Sequence, residues 1–281
     1  MTSNPSPAVS PSSAPSSEQV ASPQRKKKIA QTNCQPGITL EGTAADDTLD
    51  GTSNSDTLRG RNGNDVLSGL GCRDRLFGGA GRDRLVGGQE NDQLNGGLDN
   101  DRLIGNSGND TILGGDGEDR LEGNAGNDTL RGGSKGDLLF GGSGADLLSG
   151  GNGKDILRGE AGADRLNGGN GDDIIVGGFG NDRLVGGGGA DRFVYNSVDE
   201  GRDRIVDFDD DEDRIDLSVI FKDDKYNTDN RFRDYVVVVN DDDDVLIRVD
   251  PDGENGDRLF TTLVRLVDTD FGDIERSNFI L

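Results

Sequence analysis

An aspartate stands at every ninth position from Asp47 to Asp191, seventeen times without an insertion. Two residues after each stands an apolar side chain: Leu in fourteen repeats, and Ile112, Ile175 and Phe193 in the others. Five residues before each stands glycine, from Gly42 to Gly186 without exception. Three locked columns leave few folds open. The glycine column (Gly78, Gly105, Gly123, Gly141, Gly150, Gly168, Gly177 and Gly186 among them) is expected to supply φ > 0 in tight turns. The apolar residue is expected to face inward from a three-residue strand, one core side chain per repeat. Two nonapeptides then make one 18-residue coil with a turn on each edge. The expected fold is all-β: a parallel two-sheet solenoid, roughly 40 Å long at about 4.8 Å per coil.

Composition narrows function by exclusion. Hydrophobic residues are 30% of the chain and no apolar run approaches a membrane span. The absence of His removes Ser-His-Asp and Cys-His nucleophiles and the HExxH zinc site. A net charge of −24 would repel a phosphate backbone, so no nucleic-acid partner is expected, whereas divalent cations are the natural counter-charge. The segment Gly132-Gly-Ser134-Lys-Gly136 fits a GxSxG pattern but sits in a repeat turn with no base to activate it. No enzymatic activity is expected. Two cysteines, Cys34 and Cys72, permit one bridge and no framework.

Segments such as Gly78-Gly-Ala-Gly-Arg-Asp83-Arg-Leu85 and Gly177-Gly-Phe-Gly-Asn-Asp182-Arg-Leu184 resemble GGxGxDxUx, the nonapeptide of the RTX (haemolysin-type) proteins. The resemblance covers residues 42–194 and implies a calcium β-roll. Each ion would lie between the turns of alternate repeats, held by Asp carboxylates and backbone carbonyls, the all-oxygen ligation Ca²⁺ requires.

The glycine two residues before Asp is replaced by Ala45, Asn54, Cys72, Glu90, Asp99 and Lys135. Requiring it in both flanking turns selects Asp110, Asp128, Asp146, Asp164 and Asp182 on one edge. On the other edge it selects Asp65 with Asp83, and Asp155 with Asp173 and Asp191. These form about seven well-formed gaps, whose ions would nearly balance the −11 carried by residues 42–194 (26 acids, 15 bases). Asp47, Asp56, Asp74, Asp92, Asp101, Asp119 and Asp137 are expected to bind more weakly.

The flanks differ in composition. Residues 1–37, rich in Ser and Pro, read as a disordered tail; its basic cluster, Arg25 to Lys28, is followed by no apolar stretch, unlike a secretory signal. The roll is expected over 38–194. Residues 195–281 carry 26 acids against 11 bases with short β patterns, and read as a β-rich acidic cap. They also resemble the C-terminal region of RTX proteins exported by type I secretion. Phe193-Val-Tyr-Asn-Ser, Asp203-Arg-Ile-Val-Asp-Phe, Asp213-Arg-Ile-Asp-Leu-Ser and the terminal Asn278-Phe-Ile-Leu carry that likeness. An export machinery is the partner it implies. Asp250, Asp252 and Asp257 form an acidic turn able to hold one more cation.

On one sheet Leu138, Phe140, Ile156, Ile174 and Val176 should form an outward apolar strip. It is expected to be covered by the C-terminal segment or to meet a protein partner or second copy. The leading function is a secreted, extracellular, non-catalytic calcium-binding protein that folds on meeting external Ca²⁺. The alternatives are an accessory calcium module of a secreted hydrolase or polysaccharide-modifying enzyme acting in trans, and a cell-surface adhesin or surface-layer component.

Overall fold

Six residues show why the repeat becomes a strand. In Arg75–Ala80 the side chains alternate, with Leu76 and Gly78 buried while Arg75 and Phe77 face outward. The strand is therefore six residues long, not the expected three.

A computed structural model describes residues 34–281, apart from 223–234, 243, 251–259 and 270. Successive strands go to opposite sheets, so each pairs with the strand 18 residues away: Thr57 with Arg75, and Arg75 with Gln93. Among the described residues this gives a 13-stranded and an 11-stranded sheet, parallel along the whole roll. No helix is long and apolar enough to cross a membrane among the described residues.

The core of the roll is one side chain wide per strand. Every column residue from Leu58 to Leu184 is at most 1% exposed, and Phe193, Ile205 and Ile215 continue the line at 0%. Burying one Leu is worth about 1.5–3 kcal/mol, and each is repeated identically in the next coil.

Both ends depart from the repeat. The strand Pro36–Glu41 pairs with Ser55–Asn62, and a disulfide joins Cys34 to Cys72. The strand therefore runs across the expected boundary at residue 38, held by the sheet and by the bridge at Cys34. The expectation for residues 1–33 lies outside the described residues.

After Phe193 the period lapses, yet the coil does not. Asp203–Ile205 pairs with Arg183–Gly188 and Arg214–Asp216 with Arg192–Val194, both in parallel. An antiparallel meander, Val236–Asp241, Asp244–Val249 and Thr261–Leu266, then joins the first sheet through the pairing of Thr261–Leu266 with Asp203–Ile205. Phe279–Ile280 closes the second sheet against Arg214–Asp216. Tyr195, Leu217, Phe221 and Tyr235 thicken the core there.

Among the described residues the cap extends the sheets end-on, and its strands pair with the last coils, not across the outward strip. Leu138, Ile156 and Ile174 do stand side by side, half-buried, on consecutive strands. Between Phe140 and Val176, however, Arg158 interrupts the second row, and the Arg120 guanidinium lies 4.4 Å over the Phe140 ring.

Candidate metal centre

The turn Gly78-Gly79-Ala80-Gly81-Arg82-Asp83 shows what each column does. Gly79 and Gly81 take φ of 123° and 116°, the left-handed side that glycine tolerates. The invariant Gly78 does not, and neither do Gly105, Gly123, Gly141, Gly150, Gly168, Gly177 or Gly186. Its role is steric, which corrects the expectation. A Cβ on Gly78 would stand 2.2 Å from Asp83 Oδ2 and 2.7 Å from the Gly96 carbonyl oxygen of the next coil.

Each column Asp is tied to both neighbouring coils by the same pair of bonds. Asp83 Oδ1 accepts the Asp65 amide at 2.8 Å, while the Asp83 amide donates to Asp101 Oδ1 at 2.8 Å. The second oxygen, Oδ2, is buried with no donor in every column Asp from Asp65 to Asp191, and again in Asp203. These residues are at most 4% exposed. A buried carboxylate oxygen without a partner is costly, and repeating it at every turn requires a counter-charge. Near most of them a carbonyl oxygen of the next coil lies close to the same point, as Gly96 does for Asp83 and Gly141 for Asp128, so the donor set there is oxygen only and fits a hard divalent cation. Among the described residues no three His, Cys, Asp or Glu side chains converge, so carbonyls must supply much of any ion's shell.

Burial pushes the carboxyls up, opposed by the amide each accepts and aided by the Asp of adjacent coils. Asp92 and Asp101 reach about 8, Asp128, Asp137, Asp164 and Asp191 about 7, and Asp74, Asp83, Asp110, Asp173 and Asp182 about 6. Asp65, Asp119, Asp146 and Asp155 shift the same way.

The glycine pattern does not divide the turns by geometry. Cys72, Glu90, Asp99 and Lys135 all adopt the left-handed turn, with φ of 67–72°. Asp74, Asp92, Asp101, Asp119 and Asp137 accordingly keep the arrangement of their glycine-flanked neighbours. Only the first two turns differ. Asp47 Oδ2 accepts the Thr43 amide at 2.6 Å and its hydroxyl at 3.0 Å. Asp56 Oδ2 accepts the Thr52 amide at 2.5 Å, and its Oδ1 accepts the Ile38 amide at 2.6 Å. Protein donors satisfy the second oxygen of both carboxylates.

Two features escaped the sequence reading. A second ladder, with opposite polarity, runs one residue before the Asp column: Asn91, Asn109 and Asn127 each accept the amide 18 residues later at 2.7–2.8 Å. Asp203 and Asp213 also continue the Asp column, accepting the Asp182 and Asp191 amides at 2.9 Å. The repeated Asp-Arg-Ile at 203–205 and 213–215 was the available signal. Of the acidic turn, Asp250 is buried and its amide bonds the Tyr235 carbonyl; Asp252 and Asp257 lie outside the described residues. Ser134 is an ordinary turn residue whose hydroxyl donates to Asp116.

A family model, "RTX calcium-binding nonapeptide repeat (4 copies)", matches six segments between residues 41 and 193. No curated protein matches the chain. Two subunits of the Azotobacter vinelandii mannuronan C5-epimerase are similar solved structures. One is 28% identical over 53% of this chain and 80% of its own, with a TM-score of 0.31. The other is 26% identical over 54% and 91%, with a TM-score of 0.35. The extracellular lipase LipA of Serratia marcescens is 17% identical, with a TM-score of 0.33; the match covers 81% of this chain and 45% of the lipase.

Proposed function

The chain belongs to the RTX calcium-binding nonapeptide-repeat family, and from that premise we propose a secreted, non-catalytic protein whose roll folds when it meets extracellular calcium. One observation carries the reading: an unbroken column of buried carboxylates, Asp65 to Asp191, each with one oxygen that no protein group satisfies. At low calcium the column repels itself and the chain stays extended, a form suited to export by a type I machinery. At about millimolar calcium, where weak extracellular sites fill, ion binding and folding become one event. Each interior Asp borders two gaps, so the transition is cooperative.

Gaps flanked by glycine turns, about seven of them, bind first. Turns that force Cys72, Glu90, Asp99 or Lys135 into φ > 0 lose about 1 kcal/mol or more each to strain. Titrating Ca²⁺ into the metal-free full chain, followed by far-UV circular dichroism, tests the proposal. The expected result is a steep coil-to-β transition near millimolar Ca²⁺ that equal Mg²⁺ does not reproduce. A chain already fully β in chelator would contradict it. Coexpression with a type I exporter should release the chain into the medium, and retention inside the cell would remove that part of the reading.

A further inference from the structure

The roll ends on two buried carboxylates that no protein donor completes. Asp182 and Asp203 are 2% and 1% exposed, and they are separated by 21 residues where the repeat has 18. Asp203 Oδ1 accepts the Asp182 amide at 2.9 Å, but Oδ2 of both residues is without a partner. A methyl group placed on Gly177 would stand 2.5 Å from Asp182 Oδ2 and 3.0 Å from Asp203 Oδ2. At Gly168, one turn earlier, the corresponding neighbours are one carboxylate and one carbonyl, Asp173 Oδ2 and the Gly186 oxygen. The terminal pocket therefore gathers two carboxylates where the repeats gather one.

A third oxygen lies there. The Tyr195 hydroxyl, in a side chain 1% exposed, contacts the Asp203 carboxylate at a poor hydrogen-bond angle. Glu200 faces the same cluster, its carboxylate accepting the Asn196 amide at 3.1 and 3.2 Å. Two bare carboxylate oxygens buried beside one poorly bonded hydroxyl are expensive, and a hard cation satisfies all three at once.

We propose that a calcium-type cation binds beyond the last nonapeptide, between the coils of Asp182 and Asp203, with the neutral Tyr195 hydroxyl as one of its oxygens. The site rests on the reading that the roll binds calcium, and adds to it a centre outside the matched repeats.

Terbium tests it, because a tyrosine near the ion sensitises Tb³⁺ emission. The chain has no Trp, and its tyrosines are Tyr195, Tyr226 and Tyr235, none within the nonapeptides. The full-length protein loaded with Tb³⁺ should emit on tyrosine excitation, and Ca²⁺ should quench this by displacement. Tyr195→Phe, which removes the hydroxyl and keeps the ring, should lose the emission. Asp203→Asn keeps the Oδ1 acceptor and should lose both the emission and one bound ion. Asp213→Asn should keep the emission, since Asp213 Oδ2 already accepts the Asp209 amide at 3.0 Å. Emission surviving in Tyr195→Phe and Asp203→Asn, or a Tb³⁺-loaded wild type that stays dark, would overturn the terminal site alone. A wild type binding neither Tb³⁺ nor Ca²⁺ would overturn the reading of the roll as well.

Discussion

The first two turns and those that follow share the same glycine, aspartate and apolar residue, yet their electrostatics are opposite. Thr43 and Thr52 turn backbone amides and hydroxyls onto Asp47 and Asp56 and satisfy Oδ2 of each. Where the threonine is replaced by glycine or another residue in the left-handed turn, from Asp65 onward, the second oxygen is left bare. The same motif column thus either has its second carboxylate oxygen satisfied or leaves it bare, depending on one neighbour four residues upstream. The disulfide belongs to the end where it is satisfied.

Substitutions in the two regions should separate them. Asp128→Ala removes an ion ligand and strands the buried Asp110 amide; the stranded amide alone costs about 1–3 kcal/mol, and the calcium midpoint should rise steeply. Asp56→Ala should raise that midpoint far less, only as much as its loss of stability requires, and equal midpoint shifts in a calcium titration would erase the distinction. Leu130→Ala, at 0% exposure, should cost about 2–5 kcal/mol in a denaturant titration at saturating calcium. The half-buried Leu49 should cost clearly less, and equal losses would mean the core is as tight at the first turn as in the middle.

Reducing the Cys34–Cys72 bridge, which spans 38 residues, should cost about 2–4 kcal/mol. Limited proteolysis should place the resulting loosening at the Pro36–Glu41 strand and not in the coils beyond Asp110; cleavage throughout the roll would contradict this. Proton linkage adds a smaller effect. The body carboxyls rise from an ordinary 3.8 to about 6–8 on folding, so the metal-free roll binds protons better than the unfolded chain. Their contribution is complete below pH 3.8 and is lost as pH rises through 6 to 8. Because these protons compete with calcium, the calcium midpoint should rise between pH 8 and pH 6; a flat profile would show carboxyls of ordinary acidity. Smallest of all, Lys135→Gly should stabilise the calcium-loaded roll by about 1 kcal/mol in a melting experiment by removing a left-handed lysine.

How much of this was legible follows from where information is stored. The nine-residue period carries the two-sheet roll, its register and the aspartate column, because every coil repeats the same contacts. The glycine column was visible, but its reason was not. Sequence cannot tell a glycine needed for φ > 0, such as Gly79, from one needed because Asp83 Oδ2 fills the space of its Cβ, such as Gly78. Asp203 and Asp213 were hidden because irregular connections lengthen the step from 18 to 21 and 22 residues. The Thr43 and Thr52 caps depend on which way a turn points its amide, and that is decided only when the coil closes.

Hydrogen exchange on the full chain, with calcium and then with chelator, tests the central claim most directly. The amides of Asp110, Asp128 and Asp146 each donate to the aspartate of the next coil. They should be strongly protected with calcium and exchange at unfolded rates without it. Equal protection in chelator would contradict the account, and would mean that the leucine column and the cap hold the coils together while the bare carboxylates contribute nothing to folding.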